Sequence, residues 1–343
     1  MDRIIQKTNI LNANPDDLAG IVRSLGEKPF RAKQIFGWLA KGVENFDEMG
    51  NVPASLREKL KEEYYIGLPK VIIDQQSATD GTRKCLFEFA DGARVESVFM
   101  KYSYGNSICI SSQVGCRMGC SFCASTMSGL ERNLTSGEML GEILKMRNIT
   151  GEDIGHVVVM GMGEPFDNYD NLAGFIRLIN NPAGYGLGMR NITVSTCGII
   201  PMIERFGNDF PQVNLAVSLH ASNAERRKQL MPVAKAYGYK ELIDACRSYA
   251  QKTKRRVTFE YSMIDGVNDS PETAKELAAH LKGWQTHVNL IPLNKVEGRG
   301  YSAAGNNNIQ NFKKILEDAG IAVTVRRTLG ADIDAACGQL RNR

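Results

Sequence analysis

From about residue 102 to residue 330 the chain alternates short β-branched runs with helical stretches, and this alternation limits the possible folds more than any other feature. The runs are SICISSQ, VVVM (157–160), NITVST (191–196), VNLAVSLH (213–220), RRVTFEYSMI, HVNLIPL and VTVRRT. Between them lie MLGEILKMRNI, ELIDACRSYAQKT, PETAKELAAHLKG and NFKKILEDAG. A helix between two strands carries the chain back to the same end of the sheet, so the strands pair in parallel. The expected core is therefore α/β, a mainly parallel sheet covered by helices, open or closed into a barrel. Ser270 before Pro271 marks a helix start, and Gly283 and Gly320 mark helix stops. In such barrels the catalytic groups sit on the loops that follow the strands.

Upstream the texture changes. DDLAGIVRSL, RAKQIFGWLAKG and ASLREKLKEEYY read as short helices, whereas RKCLFEFADGARVESVFMKY alternates in period two around Asp91 and Gly92, a hairpin signal. With 343 residues there is room for a barrel and an appendage. We expect a helical accessory domain over 1–75, hairpin or linker strands over 76–101, a barrel over 102–332 and a C-terminal loop over 333–343. A net charge of +4 permits a polyanionic partner without requiring one. The basic clusters at Arg226, Arg227 and Lys228, at Lys252 to Arg256, and at Arg326 and Arg327 read first as solvated faces. The sequence contains neither an apolar run of membrane-spanning length nor a signal peptide's apolar stretch near Met1, so a cytoplasmic protein is expected.

Eight cysteines are too sparse for a secreted disulfide framework, and three of them cluster. Cys116, Cys120 and Cys123, in CRMGCSFC, follow the first barrel strand. CxxxCxxC supplies three thiolates, one fewer than a closed site uses, and suits a [4Fe-4S] cluster with one iron open to a ligand. The competing reading adds Cys109 to make a four-cysteine zinc knuckle. Thr135 to Glu138 form a capping box for the next helix, so the cysteines occupy a βα connection.

Other candidates fall at successive strand ends. In MGMGEPFDN, Gly161 and Gly163 allow a tight turn beside a ligand, and Glu164 offers a carboxylate to an amino acid's ammonium. Ser195, Ser218 to His220 and Asn294 end later strands. Cys85, Cys197 and Cys246 read as buried and inert. Cys337, in DIDAACGQL, lies in a small, polar loop instead. Cys109, on the first strand, is placed to face it across the barrel mouth, and two converging thiols suggest covalent catalysis with a resolving partner.

The motifs PFRAKQI, RVES, CISSQVGCRMGCSFCAST, NLTSGEML, MGMGEP, STCG, VNLAVSLH, LMPV, GVND, HVNLIPLN and DIDAACGQL together resemble the RlmN/Cfr family of radical S-adenosylmethionine (SAM) enzymes. The resemblance covers nearly the whole chain. It implies a partial (β/α)6 barrel behind an N-terminal helical accessory domain. It implies that Cys116, Cys120 and Cys123 hold the cluster, and that Gly163, Glu164, Ser195, Ser218, Leu219, His220 and Asn294 bind SAM. Cys337 would be the S-methylated cysteine, Cys109 the resolving cysteine that forms a transient disulfide with it, and Glu96 the proton acceptor.

The implied activity is methylation of adenine C2 in 23S rRNA and tRNA, with two SAM consumed per methylation. One SAM methylates Cys337. The second is cleaved to a 5′-deoxyadenosyl radical that takes hydrogen from the S-methyl group, because the electron-poor C2 carbon cannot attack SAM directly. An external electron donor such as flavodoxin or ferredoxin, a monomeric state and no membrane association complete the expectation. Two alternatives stay open: a Cfr-type enzyme methylating C8, against which Pro165 argues, and a noncatalytic zinc-stabilised RNA-binding protein. Arg31, Lys33 and Trp38 suit RNA contact, although Trp38 suits the small domain's core equally well.

Overall fold

The computed structural model describes residues 7–341. Its helices are α1 (Pro15–Ser24), α2 (Phe30–Ala40), α3 (Ala54–Glu63), α4 (Ser136–Thr150), α5 (Tyr169–Asn180), α6 (Ile200–Asp209), α7 (Ala224–Leu230), α8 (Tyr239–Thr253), α9 (Pro271–Leu281) and α10 (Asn306–Asp318). Its strands are β1 (Thr8–Asn9), β2 (Tyr64–Tyr65), β3 (Lys70–Gln76), β4 (Arg83–Glu88), β5 (Arg94–Tyr102), β6 (Gly105–Ile110) and β7 (Gln113–Gly115). They continue with β8 (Leu130–Asn133), β9 (His156–Val159), β10 (Ile192–Thr196), β11 (Asn214–Ser218), β12 (Val257–Met263), β13 (Thr286–Pro292) and β14 (Ala322–Val325).

One sheet of ten strands organises the molecule, in the order β14-β13-β12-β11-β10-β9-β6-β5-β4-β3. From β6 to β14 every neighbouring pair is parallel. Helices α4, α5, α6, α8, α9 and α10 return the chain between successive strands, giving six βα units and a short closing strand. Parallel strands covered by helices bury their apolar residues, and Val157, Val159, Val194, Leu215, Val217, Phe259 and Leu290 are almost completely buried. The partial (β/α)6 barrel implied by the motifs is the observed fold.

The antiparallel strands β3, β4 and β5 extend the same sheet beyond β6. The expected turn at Asp91 and Gly92 joins β4 to β5, closed by Phe89 N–H donating to Ala93 O, with Gly92 at φ +86°. Helices α1 to α3 pack into the same apolar core through Leu18, Val22, Ile35, Leu39, Leu56 and Leu60. Asn14 caps α1 in a capping box with Asp17, and Thr135 caps α4 in one with Glu138. Gly137 N–H donates to Asn12 Oδ1 at 2.7 Å, which ties the start of α4 to the N-terminal segment.

Candidate radical SAM centre

The C-terminal ends of β9, β10, β11, β12 and β13 surround a cavity of about 150 Å³. Cys116, Cys120 and Cys123 lie on its wall. The loop that carries them runs between β7 and β8, whose antiparallel pairing clamps its two ends; neither strand was visible as a separate element in the sequence. Beneath the loop, Phe122, Cys197, Leu230, Met231 and Ile264 form a small apolar cluster of their own. Ser121 N–H donates to Leu230 O at 2.9 Å, fixing the loop to the end of α7.

The three thiols suit a shared metal cluster by their chemistry. Burial pushes Cys116 up to about 12 and raises Cys120 and Cys123, with the charge of neighbouring thiolates adding to the rise at Cys116 and Cys120. Thiols so placed ionise together only when metal charge compensates them. Among the described residues no three His, Cys, Asp or Glu side chains converge on a single-ion site. Cys109 does not complete a zinc knuckle: it is a strand residue of β6, paired with Val98 and Val158, and lines a different cavity.

The MGMGEP turn lines the same cavity as the cysteines. Gly163 has φ +101°, and a Cβ there would come within 2.6 Å of the Gln113 side chain, so glycine is required. Gln113, missed as a site residue, joins the two loops: its Oε1 accepts from Glu164 N, and its Nε2 donates to Asn133 and Asp167. Glu164 Oε1 accepts from Thr196 Oγ1 at 2.7 Å and Phe166 N at 3.0 Å, and Oε2 accepts from Cys197 N at 2.7 Å. Burial raises the Glu164 pKa, and these donors oppose the rise. The result is a fixed, enclosed carboxyl group on the cavity wall, suited to a cationic ligand group.

Ser195, Ser218, His220 and Asn294 line the same cavity, as their strand-end positions predicted. His220 Nδ1 accepts from Ser262 N at 2.9 Å, so the neutral ring carries its proton on Nε2. Burial, reinforced by the cation of Arg227, depresses its pKa to about 3. Leu219 differs: its side chain is sealed in the core, and its backbone N–H donates to Glu260 O. Glu260 was not foreseen. It lies on the cavity wall, accepts from Asn289 Nδ2 at 2.9 Å, and is held above the usual carboxylate range by burial. Only its place in a strand, facing inward, could have signalled it.

Cys337 lies at the junction of this cavity with a second, of about 30 Å³, which Cys109 lines. The C-terminal loop is held there by Asn294 Nδ2 donating to Cys337 O at 3.0 Å, Ala124 N–H to Gly338 O at 2.8 Å and Ser125 Oγ to Leu340 O at 2.8 Å. Burial pushes Cys109 up to about 12, with the neighbouring Cys337 adding to the rise. All eight cysteines are free thiols. Arg326 lines both cavities, and the charge of Cys337, then Glu260, drives its pKa upward against desolvation. Glu96 lines neither cavity. Its Oε2 accepts from Arg341 N at 2.7 Å and its Oε1 meets Lys84 Nζ at 3.2 Å, while Lys84 reaches Asp334 O. Burial raises the pKa of Glu96.

Two residues assigned to solvated basic faces are not solvated: Arg227 is completely buried and Arg326 belongs to the cavity wall. Cys85 and Cys246 are core residues as expected, but Cys197 lies on the cavity wall. In the helical module Trp38 packs against the core and donates to Asn51 Oδ1, whereas Phe30 is 53% exposed beneath the Arg31 guanidinium.

Comparison with known proteins agrees with this architecture. Residues 8–66 match the family model of the ribosomal RNA large subunit methyltransferase N-terminal domain, and residues 110–278 match that of the Radical SAM superfamily. The chain is 51% identical to the "Probable dual-specificity RNA methyltransferase RlmN" of Clostridium novyi (strain NT), over 97% of each chain. It is 50% identical to the protein of the same name from Lachnoclostridium phytofermentans, over 99% of this chain and 96% of that one. The crystal structure of a radical SAM methyltransferase from Sphaerobacter thermophilus superposes with a TM-score of 0.94 at 42% identity, covering 98% of this chain and 100% of that one.

Proposed function

The chain belongs to the RlmN family of radical SAM proteins, and from that premise we propose that it is a dual-specificity RNA methyltransferase acting on C2 of adenosine in 23S rRNA and tRNA. The observation that carries this reading is the meeting of Cys337 and Cys109 beside the cavity that Cys116, Cys120 and Cys123 line. Those three thiolates hold the [4Fe-4S] cluster. With SAM, the cluster supplies the one-electron chemistry needed to activate an unreactive methyl group.

The protein's own groups supply placement. Glu164 and the backbone at Gly163 fix the amino-acid end of SAM, and Ser195, Ser218, His220 and Asn294 line the rest of its room; Leu219 contributes through its backbone. The Cys337 sulfur accepts the methyl group and carries its carbon to adenine. Cys109 then attacks the Cys337 sulfur to release the product, which leaves a disulfide for an external reductant to open. Its high thiol pKa means that Cys109 acts once a nearby group has taken its proton. Glu96 removes the C2 proton. Because the Arg341 backbone covers it, the C-terminal segment has to shift for Glu96 to meet substrate.

An external electron donor of the flavodoxin or ferredoxin class, a monomeric state and a cytoplasmic location complete the proposal. Among the described residues no helix is long and apolar enough to cross a membrane. The domain division proposed is 1–75 for RNA contact, 76–101 for the strands that join it to the barrel, 102–332 for the barrel and 333–343 for the cysteine loop. The target adenosine must be unstacked to enter the mouth, so naked 23S rRNA is the expected substrate rather than the finished subunit.

The test is nucleoside mass spectrometry of 23S rRNA and tRNA incubated with anaerobically reconstituted protein, SAM and reductant. 2-Methyladenosine is the expected product, and 8-methyladenosine would move the protein to the Cfr group. Cys109→Ala should trap a covalent RNA adduct through Cys337, and normal turnover without adduct would remove Cys109 from the mechanism.

A further inference from the structure

Arg227 is an unusual group to find inside this protein. Its side chain is completely inaccessible to solvent, and it has no carboxylate partner among the described residues. Nη2 donates to the carbonyl oxygens of Cys197 at 2.5 Å and Ser218 at 3.3 Å, at the ends of β10 and β11. Nε and Nη1 are buried with no partner among the described residues. Burial pulls its pKa down, yet an arginine keeps its proton in such surroundings. A buried cation without a counter-charge is strongly unfavourable, so some anion should complete this arrangement.

The position of the guanidinium identifies that anion. Cys197, whose carbonyl it bonds, lines the cavity together with Cys116, Cys120 and Cys123 and packs in one apolar cluster with Cys120 and Cys123. The helix that bears it ends at Leu230, whose carbonyl accepts from Ser121 inside the cysteine loop. Leu230 and Met231 pack with Phe122 and Cys197, and Met118, Cys120 and Cys123 lie against them. Three thiolates on a [4Fe-4S]2+ core carry one net negative charge, and one-electron reduction makes it two. We propose that Arg227 is the counter-cation of the cluster held by Cys116, Cys120 and Cys123, and that it raises the cluster's reduction potential by stabilising the reduced form.

This inference rests on the assignment of those three cysteines to a [4Fe-4S] cluster. The step is a single electron from an external low-potential donor to the oxidised cluster, with no proton moved, because the guanidinium holds its proton throughout. Arg227 is a positioning residue: it is sealed from solvent and does not line the cavity.

The experiment is an EPR-monitored redox titration of reconstituted wild-type, Arg227→Lys and Arg227→Gln proteins, without SAM, after iron and sulfide analysis. Wild-type protein that holds no cluster would remove the cysteine assignment itself. With clusters loaded, Arg227→Gln should have an about tenfold smaller ratio of reduced to oxidised cluster at a fixed potential, equal to a midpoint lowered by about 59 mV for a one-electron couple. Arg227→Lys, which keeps the charge, should stay near wild type. Equal midpoints in all three, with only thermal stability reduced, would make Arg227 a structural tie and overturn the proposal. Should Arg227→Gln fail to assemble a cluster, pulsed EPR on reduced wild-type and Arg227→Lys proteins labelled with 15N-arginine decides, because Arg299 also lies beside a cluster ligand, donating to Cys123 O at 3.1 Å. A nitrogen hyperfine coupling present in wild type and missing in Arg227→Lys is expected, and identical spectra overturn the proposal equally.

Discussion

The helical module and the barrel mouth place their polar groups in opposite ways. In residues 8–66 the ionic groups are on the surface: Lys61 bridges Asp47 and Glu58, and Lys59 reaches Leu25 O. Helix ends there are closed by Asn14 and Asn45, and the interior is Leu, Ile, Phe and Met. At the mouth, Glu164, Glu260 and His220 are buried, as are Glu96 and Arg227 outside the cavity lining, and each is held away from its ordinary pKa. Burying such groups costs stability, and shifted pKa values cluster where chemistry needs them. The module contributes packing, while the mouth gives up stability to keep reactive groups dry and fixed.

Paired substitutions test this division most severely. Cys120→Ala should eliminate the cluster and reduce methylation to background while leaving the melting temperature of the apoprotein almost unchanged. Leu56→Ala, in the module core, should cost about 2–5 kcal/mol of stability yet retain full iron content below its melting point. Iron analysis beside thermal unfolding checks both. Bleaching of the Leu56→Ala cluster at 25 °C would show that module and mouth are one cooperative unit.

Glu96 gives the next largest effect, because it belongs to neither cavity. As the proton acceptor it should lose about a hundredfold in methylation rate on substitution by glutamine, with SAM affinity unchanged. As a mere anchor for the tail, its substitution would lower the rate less than fivefold. Single-turnover rates together with SAM binding separate these roles.

The sequence made the barrel legible because its strands are short β-branched runs and its helices carry their own caps at Thr135 and Ser270. It made Cys116, Cys120, Cys123, Gly163, Glu164 and Cys337 legible because short-range motifs carry them. Pairwise facts between distant segments were not legible. Gln113 bridging Asn133, Glu164 and Asp167, and Glu260 facing inward from β12, depend on which strand ends meet. Arg227 misled for a related reason. It sits between Arg226 and Lys228 in a run that looks solvated, yet the turn of a short helix sends the middle side chain inward. Local charge density predicts exposure only on average.

His220 provides a smaller effect, graded with pH. Its folded pKa of about 3 lies below its ordinary 6.5, so between those values the unfolded chain binds more protons than the folded one. Stability from this group is complete above pH 6.5 and is lost as pH falls toward 3. Between pH 6.5 and 5 this group alone contributes a loss of about 1.5 kcal/mol, readable as the difference in urea midpoint between wild type and His220→Asn, because the raised carboxyls Glu96, Glu164 and Glu260 act in the opposite sense. His220→Asn should flatten that slope without touching the module, and an unchanged slope would mean that other mouth groups carry the acid sensitivity.

The smallest expected effect lies back in the module. Asn14 Oδ1 accepts from the backbone N–H groups of Asp16 and Asp17 at 2.8 and 3.0 Å, and Asp17 returns a bond from Asn14 N. Asn14→Ala should cost about 1 kcal/mol by leaving those donors to water. Asn12, two residues earlier, accepts from Gly137 N–H at the start of α4, the helix that follows the cysteine loop. Fraying α1 is therefore the mildest available way to pull on the mouth from outside it. An unchanged cluster potential in Asn14→Ala would show that the module's order stops at its own caps, whereas a shifted potential would show that the tie at Asn12 transmits strain to the cysteines.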